Sequence, residues 1–150
     1  MKLALLFVPV ALALTLSEGA SNAFVQPAMA GHEWPSDDGC LTYPAWDMVN
    51  NNCTDKKLLI VPLQATGYGG SLHAYARMKA NPFGTSDTDC QAISIDTTNS
   101  EFNASAVKNT FSTTVVTLDL GTFNVSSSGT YHFECHLGRS GGAVVNVEAN

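Results

Sequence analysis

Apolar and polar residues alternate along much of the second half of the chain. In residues 71–79 every second side chain is apolar, and the positions between them hold His73, Tyr75, Arg77 and Lys79. Successive side chains of a β-strand point to opposite faces, so a period of two predicts a strand with one face on a core and the other toward solvent. The pattern therefore predicts a half-buried strand of an antiparallel sheet.

Further segments also read as strands, and turn-forming residues separate them. Residues 58–63 are a short apolar run that Pro62 confines to a sheet edge or a bulge, because proline donates no backbone hydrogen bond. The other predicted strands are residues 89–96, 113–120, 122–125, 130–137 and 143–148. Short strands at this spacing, without an amphipathic helix, predict an all-β fold. We expect an antiparallel β-sandwich, immunoglobulin-like or jelly-roll-like, with about six or seven short strands.

Two segments lack this alternation. Residues 24–54 are polar and rich in Pro, Gly, Asp and Asn, which favour turns, so we expect an irregular, turn-rich N-terminal segment there. Residues 97–109 are rich in Thr, Asn and Ser, and we expect them to form a long surface connection. The sandwich domain is accordingly predicted to span residues 55–150.

The N-terminus has the pattern of a secretory signal peptide. Lys2 precedes a long apolar run, and residues 21–23 fit the small-x-small cleavage rule. We therefore expect residues 1–23 to be a signal peptide cleaved after Ala23, with cleavage after Ala30 as the alternative. The apolar run is too short to span a bilayer, and no later run is long enough. The pattern predicts a secreted, extracellular protein, with a periplasmic location as the alternative.

Four cysteines, an even number, indicate disulfides in an exported chain. Of the three possible pairings, Cys40 with Cys53 closes a short loop in the turn-rich segment and leaves Cys90 with Cys135. A zinc site is the competing interpretation, but no two cysteines have the short spacing that such a site requires. We therefore expect two disulfides.

The predicted strand 130–137 supports the second of these bridges. Tyr131, Phe133, Cys135 and Leu137 share one face of it. Sandwich domains often place an aromatic residue and a cysteine on one face of a late strand, with the cysteine bridging to the opposite sheet. The pattern predicts that the bridge from Cys135 to Cys90 joins the two sheets.

The charge balance excludes one class of function. The chain has 7 Lys and Arg residues against 13 Asp and Glu residues, which gives a net charge of -6, and only 13% of its residues are charged. A nucleic-acid-binding protein needs a basic face, which this balance does not provide. We therefore expect no nucleic-acid partner.

The sharpest candidate for chemistry is a metal site on the polar face of the predicted strand 130–137. His132, Glu134 and His136 follow one another at a period of two, and imidazole and carboxylate groups suit zinc or another divalent metal. His73 completes such a site if its strand lies beside this one. The alternative is that these side chains form the solvated face of a half-exposed sheet.

Two further features concern carbohydrate. N-x-S/T sequons at Asn52, Asn103 and Asn124 are glycosylation sites if the source is eukaryotic, and such sequons also arise by chance. Exposed aromatic residues are candidates for a sugar-stacking platform, although packing in the core or in loops explains them equally well. These aromatic residues are Trp34, Tyr43, Trp46, Tyr68 and Tyr75.

Three segments carry a resemblance to a known group of proteins. They are Asp89-Cys90 after a polar turn, the Gly-x-Tyr-x-x-x-Cys pattern of residues 129–137, and the Val-rich closing segment 142–148. Through them, residues 56–148 resemble short exported bacterial β-sandwich proteins of unknown function. The resemblance implies an exported sandwich and adds no catalytic residue. The chain has Val61-Pro62 where the group has Cys-Pro, so the equivalence of the group's first bridge is open.

The sequence thus predicts a secreted extracellular protein that binds a ligand or has a structural role, without catalytic activity and without a cofactor. The expected partner is an unidentified extracellular protein or glycan. One alternative is a metal-binding protein that uses His132, Glu134 and His136, and another is a carbohydrate-binding module. Hydrolase motifs such as Gly-x-Ser-x-Gly and His-Glu-x-x-His do not occur.

Overall fold

Short strands make up most of the described part of the chain. A computed structural model describes residues 24–34, 39–45, 47–63, 69–96 and 102–150, which form two antiparallel sheets of six strands each. The predicted all-β sandwich is therefore confirmed. Across these residues the helical structure is a 3-10 turn at Ala28–Ala30, and no helix is long and apolar enough to cross a membrane. The predicted signal peptide lies outside the described residues.

Twelve strands lie in the described ranges. They are β1 (Phe24–Pro27), β2 (His32–Trp34), β3 (Leu41–Ala45), β4 (Met48–Asn51), β5 (Lys57–Leu63), β6 (Gly70–Lys79), β7 (Thr88–Ile95), β8 (Phe102–Ala104), β9 (Lys108–Thr110), β10 (Val116–Val125), β11 (Thr130–Leu137) and β12 (Ala143–Ala149).

The strands divide between a first and a second sheet. In the first sheet the order is β10-β6-β12-β4-β3, and β1 pairs with the second half of β12 beside β4. In the second sheet the order is β2-β5-β11-β7-β8, and β9 pairs with the first half of β7 beside β8. The chain crosses from the second sheet to the first between β11 and β12.

The longer strands match the segments whose apolar and polar residues alternate. The limits of β5, β6, β7, β11 and β12 each lie within 1 residue of the predicted limits. The predicted strands 113–120 and 122–125 form a single strand, β10, which begins at Val116 rather than at residue 113. They are continuous because Gly121 (φ 83°) forms a bulge within the strand rather than a turn. Pro62 lies beyond the last residue of β5 that pairs with β2, the edge position expected for proline.

The prediction of an irregular segment at residues 24–54 is wrong. Four strands lie there: β1 pairs with β12, β2 with β5, and β3 with β4, which itself pairs with β12. None is longer than 5 residues, which is too short for an alternating pattern to be recognised above turn-forming residues. Pairing with the long strands outweighs the local preference for turns.

The prediction of a surface connection at residues 97–109 is wrong in part. Residues 97–101 lie outside the described residues, but β8 and β9 pair with the free edge of β7. Each strand has 3 residues, which is too short for a pattern in the sequence to predict it, so only its pairing with β7 identifies it as a strand. They cover an edge of the second sheet that would otherwise be open to pairing with another chain.

The core lies between the two sheets and takes the inward-facing side chains of both. Leu72 and Met78 of β6 are almost completely buried, as their alternation with polar residues predicts. From the second sheet, Leu59 of β5 and Phe133 of β11 are also fully buried. Burial of such side chains contributes roughly 1.5–3 kcal/mol each, so the opposed apolar faces are the main source of stability.

Both disulfides expected from the sequence are present. Cys40 bonds to Cys53, and Cys90 bonds to Cys135. The prediction that the second bridge joins the two sheets is wrong, because β7 and β11 are neighbours in the second sheet. Cys90 and Cys135 are directly opposed across that pair, with a Cα–Cα distance of 4.1 Å. Alternation shows that Cys135 points inward, but it does not show which strand lies beside it.

One buried polar side chain joins the two sheets. Asn51, the last residue of β4, is fully buried, and its Nδ2 donates to the carbonyl oxygens of Asp55 at 2.8 Å and Leu137 at 2.9 Å. Its Oδ1 accepts a hydrogen bond from the backbone N–H of Cys53 at 2.8 Å. Because Leu137 ends β11, this amide fastens the first sheet to the second.

The backbone of Asn51 also fixes the connection between β11 and β12. Its N–H donates to the carbonyl of Gly142 at 2.9 Å, and its carbonyl accepts from the N–H of Gly141 at 2.6 Å. Gly141 has φ 113°, which favours glycine, and a Cβ at Gly142 would overlap the backbone of Gly138. The chain therefore enters β12 through a glycine turn held by Asn51.

We predict that Asn51→Asp destabilises the protein by about 3 kcal/mol or more, because two buried carbonyl oxygens then face an acceptor instead of a donor. Urea unfolding at neutral pH measures the loss. The control is Asn52→Ala, at the exposed neighbouring position, which should cost no more than about 0.5 kcal/mol. Equal losses in the two variants would contradict the role given to Asn51.

Candidate functional site

The predicted metal ligands lie on the outer face of the second sheet. Tyr131, Phe133 and Cys135 of β11 are buried, whereas His132 and Glu134 between them are partly exposed. The alternation along this strand therefore assigned its side chains to the correct faces.

These side chains do not converge on a common point. His136 Nδ1 lies 2.8 Å from Asp89 Oδ1. Glu134 Oε1 lies 3.3 Å from His132 Nε2, and Glu134 Oε2 accepts a hydrogen bond from Gln91 Nε2 at 3.4 Å. The imidazole of His136 is thus engaged with Asp89 of β7, while Glu134 lies beside His132 and Gln91. Within the described residues, no group of three or more His, Cys, Asp or Glu side chains is placed to hold a metal ion.

The prediction that His73 completes this site is wrong. His73 lies on β6 in the first sheet and β11 lies in the second, and the partly exposed residues of both strands point away from the core. The whole core therefore separates His73 from His132 and His136. Instead, His73 Nε2 lies 2.6 Å from Asp119 Oδ1 on β10.

An ionic cluster covers one end of the outer face of the second sheet. Lys56 Nζ lies 2.7 Å from Asp87 Oδ1 and 3.2 Å from Asp89 Oδ2. Asn109 Nδ2 donates to Asp87 at 3.0 Å, and His136 binds the second oxygen of Asp89. The polar groups of this cluster satisfy one another, which is typical of a solvated sheet face rather than of a binding site.

The contacts of Asp89 shift two pKa values in opposite directions. Burial alone raises the pKa of Asp89, but the hydrogen bond and charge of His136, together with Lys56, outweigh it and hold the pKa below its usual value. The hydrogen bond to Asp89 raises the pKa of His136, although burial opposes this. Both pKa shifts favour the state in which Asp89 is negatively charged and His136 is positively charged.

The outer face of the first sheet has a different character, because it contains an open depression of about 280 Å³. Strands β6, β10 and β12 form the floor. The lining residues are Tyr75, Arg77, Thr117, Asn146, Glu148 and Asn150.

Arg77 occupies the centre of one row of this face. Strand register places it between Thr117 of β10 and Asn146 of β12, at the distance of directly opposed cross-strand neighbours. Arg77 is exposed and has no ion-pair partner in the part of the chain that the structure describes. Its guanidinium donors are therefore open to a ligand, in contrast to the mutually bonded groups on the second sheet.

Tyr75 occupies the next row and is held in place from one side. Its ring stacks on His73, with centroids 4.8 Å apart and an interplanar angle of 23°. Asp119 binds His73 and also accepts a hydrogen bond from the N–H of Gly121 at 2.8 Å. The bulge of β10 therefore orients this carboxylate toward the imidazole of His73. These two hydrogen bonds, that of His73 first, lower the pKa of Asp119. Glu148 flanks Tyr75 on the other side.

Two members of the predicted aromatic platform, Tyr43 and Tyr75, do not lie side by side. Tyr43 is 52% exposed on β3, three strands away from Tyr75 in the sheet order, which corresponds to about 14 Å. Trp46, Tyr68 and the side chain of Trp34 lie outside the described residues. Of the two aromatic side chains of this set that the structure describes, Tyr75 lines the depression and Tyr43 does not.

The three sequons occupy different environments. Asn52 is exposed, and its Nδ2 donates to Thr42 Oγ1 at 3.0 Å. Asn124 is exposed on β10, and Asn103 is half-buried on β8. Glycosylation at these positions stays a prediction.

The alternation of residues along β12 predicts part of the depression. Asn146 and Glu148 alternate with buried valines in β12, so the sequence alone predicts that both side chains point outward. The sequence does not predict that they lie beside Arg77 and Tyr75, because that position depends on the pairing of β12 with β6.

No family model matches the sequence, and no curated protein is significantly similar to it.

We predict that the pair of Asp89 and His136 stabilises the fold most between about pH 4 and 6.5, the range bounded by the ordinary pKa values of the two groups. The raised pKa of His136 gives stability that is present below its unfolded pKa and lost as pH rises through the folded value. The lowered pKa of Asp89 gives stability that is lost as pH falls through the folded value.

The measurement is urea unfolding of the wild type and of His136→Gln from acid to alkaline pH. Because the His136 side chain is 46% exposed, solvent screening should limit the difference to about 1 kcal/mol or less. The difference should be largest near pH 5.5 and smallest above about pH 8.5. A difference that does not vary with pH would contradict the ion pair.

Proposed function

We propose that the mature chain is an exported, non-catalytic binding domain and that the depression on the outer face of the first sheet binds carbohydrate. The observation that carries the proposal is Arg77, which has no ion-pair partner among the described residues and lies beside the stacked ring of Tyr75. Amide, hydroxyl and carboxylate groups line the rest of the depression.

The residue types of the depression suit a sugar. The face of an aromatic ring packs against the C–H groups of a pyranose ring, and Tyr75 supplies such a ring. The planar groups of Arg77, Asn146 and Glu148 donate to or accept from neighbouring hydroxyls in pairs. A volume of about 280 Å³ is at the lower end of ligand-site sizes, which favours a small number of sugar units.

The carboxylates of this face support binding rather than hydrolysis. Glycoside hydrolysis uses two carboxyl groups, one of them with a raised pKa so that it can donate a proton. Among the described residues that line the depression, Glu148 is the one carboxylate. Asp119 lies across Tyr75 from it, but its lowered pKa and its bond to His73 make it a poor acid.

Two observations support export. The disulfides Cys40–Cys53 and Cys90–Cys135 persist in oxidising compartments and are rare in reducing ones. The N-terminal sequence supplies a cleavable leader of the expected pattern. The location that we propose is extracellular, with the periplasm as the alternative.

The position of β1 favours cleavage after Ala23 over cleavage after Ala30. β1 pairs with β12 along its whole length, from Phe24 opposite Ala149 to Pro27 opposite Asn146. Cleavage after Ala30 would remove this strand and the fully buried Ala28. It would also remove Val25, which is 51% exposed and lies opposite Glu148 on the outer face, next to the depression.

We predict that a secreting host releases a chain that begins at Phe24. Intact-mass analysis of protein purified without reduction should give the mass of residues 24–150 with two disulfides. The mass of residues 31–150 would contradict the assignment of β1 to the mature fold.

We also predict that the mature protein binds a subset of glycans on an array and that Arg77→Gln lowers its affinity for them about tenfold or more, because a charged bidentate donor is lost. Gln91→Ala, on the outer face of the second sheet, is the matched control and should bind as the wild type does. Absence of any glycan binding by the wild type, or equal losses in the two variants, would contradict the proposal.

A further inference from the structure

Three large apolar side chains are exposed together at one end of the sandwich. Phe83 is 78% exposed, Phe111 is 58% exposed and Val115 is 40% exposed. Phe83 lies in the connection between β6 and β7, and the other two lie between β9 and β10. We call these three residues the apolar tip.

The two connections that carry the apolar tip are in contact. The N–H of Ala80 donates to the carbonyl of Ser112 at 2.7 Å. Gly84 packs so closely on the second connection that a Cβ there would lie 3.3 Å from the carbonyl oxygen of Phe111. The exposed rings therefore project from neighbouring turns rather than from distant parts of the surface.

The turn that presents Phe83 is held by one buried asparagine. Asn81 is 2% exposed, and its Oδ1 accepts from the N–H groups of Thr85 at 2.9 Å and Ser86 at 3.2 Å. Its backbone carbonyl accepts from Gly84 N–H at 3.0 Å, and its own N–H donates to the carbonyl of Ser86 at 3.3 Å. Phe83 is thus fixed at the apex of a turn whose backbone donors are largely satisfied from within, and Pro82 has no N–H to satisfy.

Side-chain hydroxyl groups bind part of the backbone of the second connection. The N–H of Ser112 donates to Thr110 Oγ1 at 3.0 Å, and the N–H of Thr114 donates to Ser112 Oγ at 3.3 Å. Ser112 Oγ in turn donates to the carbonyl of Thr114 at 2.8 Å. Side chains of the connection therefore supply hydrogen bonds that its backbone would otherwise take from water.

Such turns can leave water at low cost. Moving an unsatisfied backbone group into an apolar medium is unfavourable, which excludes most irregular loops from the hydrocarbon boundary of a bilayer. Here hydrogen bonds within the turns occupy the N–H groups of Gly84, Thr85, Ser86, Ser112 and Thr114. The protruding groups are two phenyl rings and a valine, whose transfer out of water is favourable. Exposed apolar residues held this rigidly point to a contact surface.

The charges near the apolar tip differ from those of the chain as a whole. The net charge of the chain is -6, yet Lys79 directly precedes the Phe83 connection. Arg139 is exposed, and its backbone N–H donates to Ser86 Oγ at 3.0 Å. Asp87, the last residue of this connection, pairs with Lys56 at 2.7 Å, and the same lysine also contacts Asp89 at 3.2 Å. Cations behind an apolar apex match the order of a membrane surface, with anionic headgroups outside the hydrocarbon.

We propose that the apolar tip inserts into the interfacial region of an anionic lipid bilayer and holds the domain at a membrane surface as a peripheral protein. The contact is reversible, because three side chains supply limited apolar area. It uses none of the residues that line the depression on the outer face of the first sheet, although Val115 lies two residues before Thr117.

Co-sedimentation of the mature protein with vesicles of phosphatidylcholine, with and without phosphatidylglycerol, tests this proposal. The wild type should bind the vesicles that contain phosphatidylglycerol more strongly, and added salt should weaken the binding. Phe83→Ala and Phe111→Ala should each lower the partition coefficient about tenfold.

Phe102→Ala is the matched control. Phe102 is 65% exposed, but it lies on β8 opposite Ile95, at the far end of β7 from the apolar tip. This variant should bind vesicles as the wild type does. The proposal is overturned if the wild type binds no vesicles, if it binds neutral and anionic vesicles equally, or if Phe102→Ala loses as much binding as Phe83→Ala. It is also overturned if sedimentation shows a dimer that Phe83→Ala dissociates while vesicle binding is absent.

Discussion

A single buried amide, that of Asn51, joins the two sheets where the chain crosses between them. It donates to the last carbonyl of β11 and accepts from the loop that contains Cys53, while the backbone of the same residue holds the glycine turn that begins β12. An apolar side chain would leave these buried backbone groups without partners, and an aspartate would place acceptor against acceptor. Since β12 pairs with β1, β4 and β6, its starting point sets the register of the first sheet and hence the arrangement of the depression.

The two outer faces use polar residues in different ways. On the second sheet, Lys56, Asp87, Asp89 and His136 bind one another, so their polarity is satisfied within the protein. On the first sheet, Arg77 has no such partner within the described residues, although it lies in a depression beside an ordered ring. Outward polarity alone is expected of any half-exposed sheet. An unpaired charge in a concave place is what distinguishes a candidate site from a solvated face.

The sequence predicts the faces of strands well and their neighbours poorly. Alternation over residues 71–79 and 130–137 placed His73 and His132 outward and Phe133 inward, because side-chain direction depends only on the local backbone. Which strands lie side by side depends on contacts remote in sequence. His73 does not join the predicted metal ligands for this reason, since His73 and His132 belong to different sheets. The predicted inter-sheet bridge at Cys135 failed for the same reason. The short strands of residues 24–54 escaped prediction because their stability comes from their partners.

Amide hydrogen exchange under native conditions, measured by NMR, most directly tests the claim that Asn51 and the turn it holds form a rigid joint. The account predicts that the amides of Asn51, Cys53 and Gly141 exchange only through global unfolding, with the same free energy of opening as the amide of Phe133 in the core. Exchange of these amides at a free energy several kcal/mol lower, while Phe133 stays protected, would contradict it.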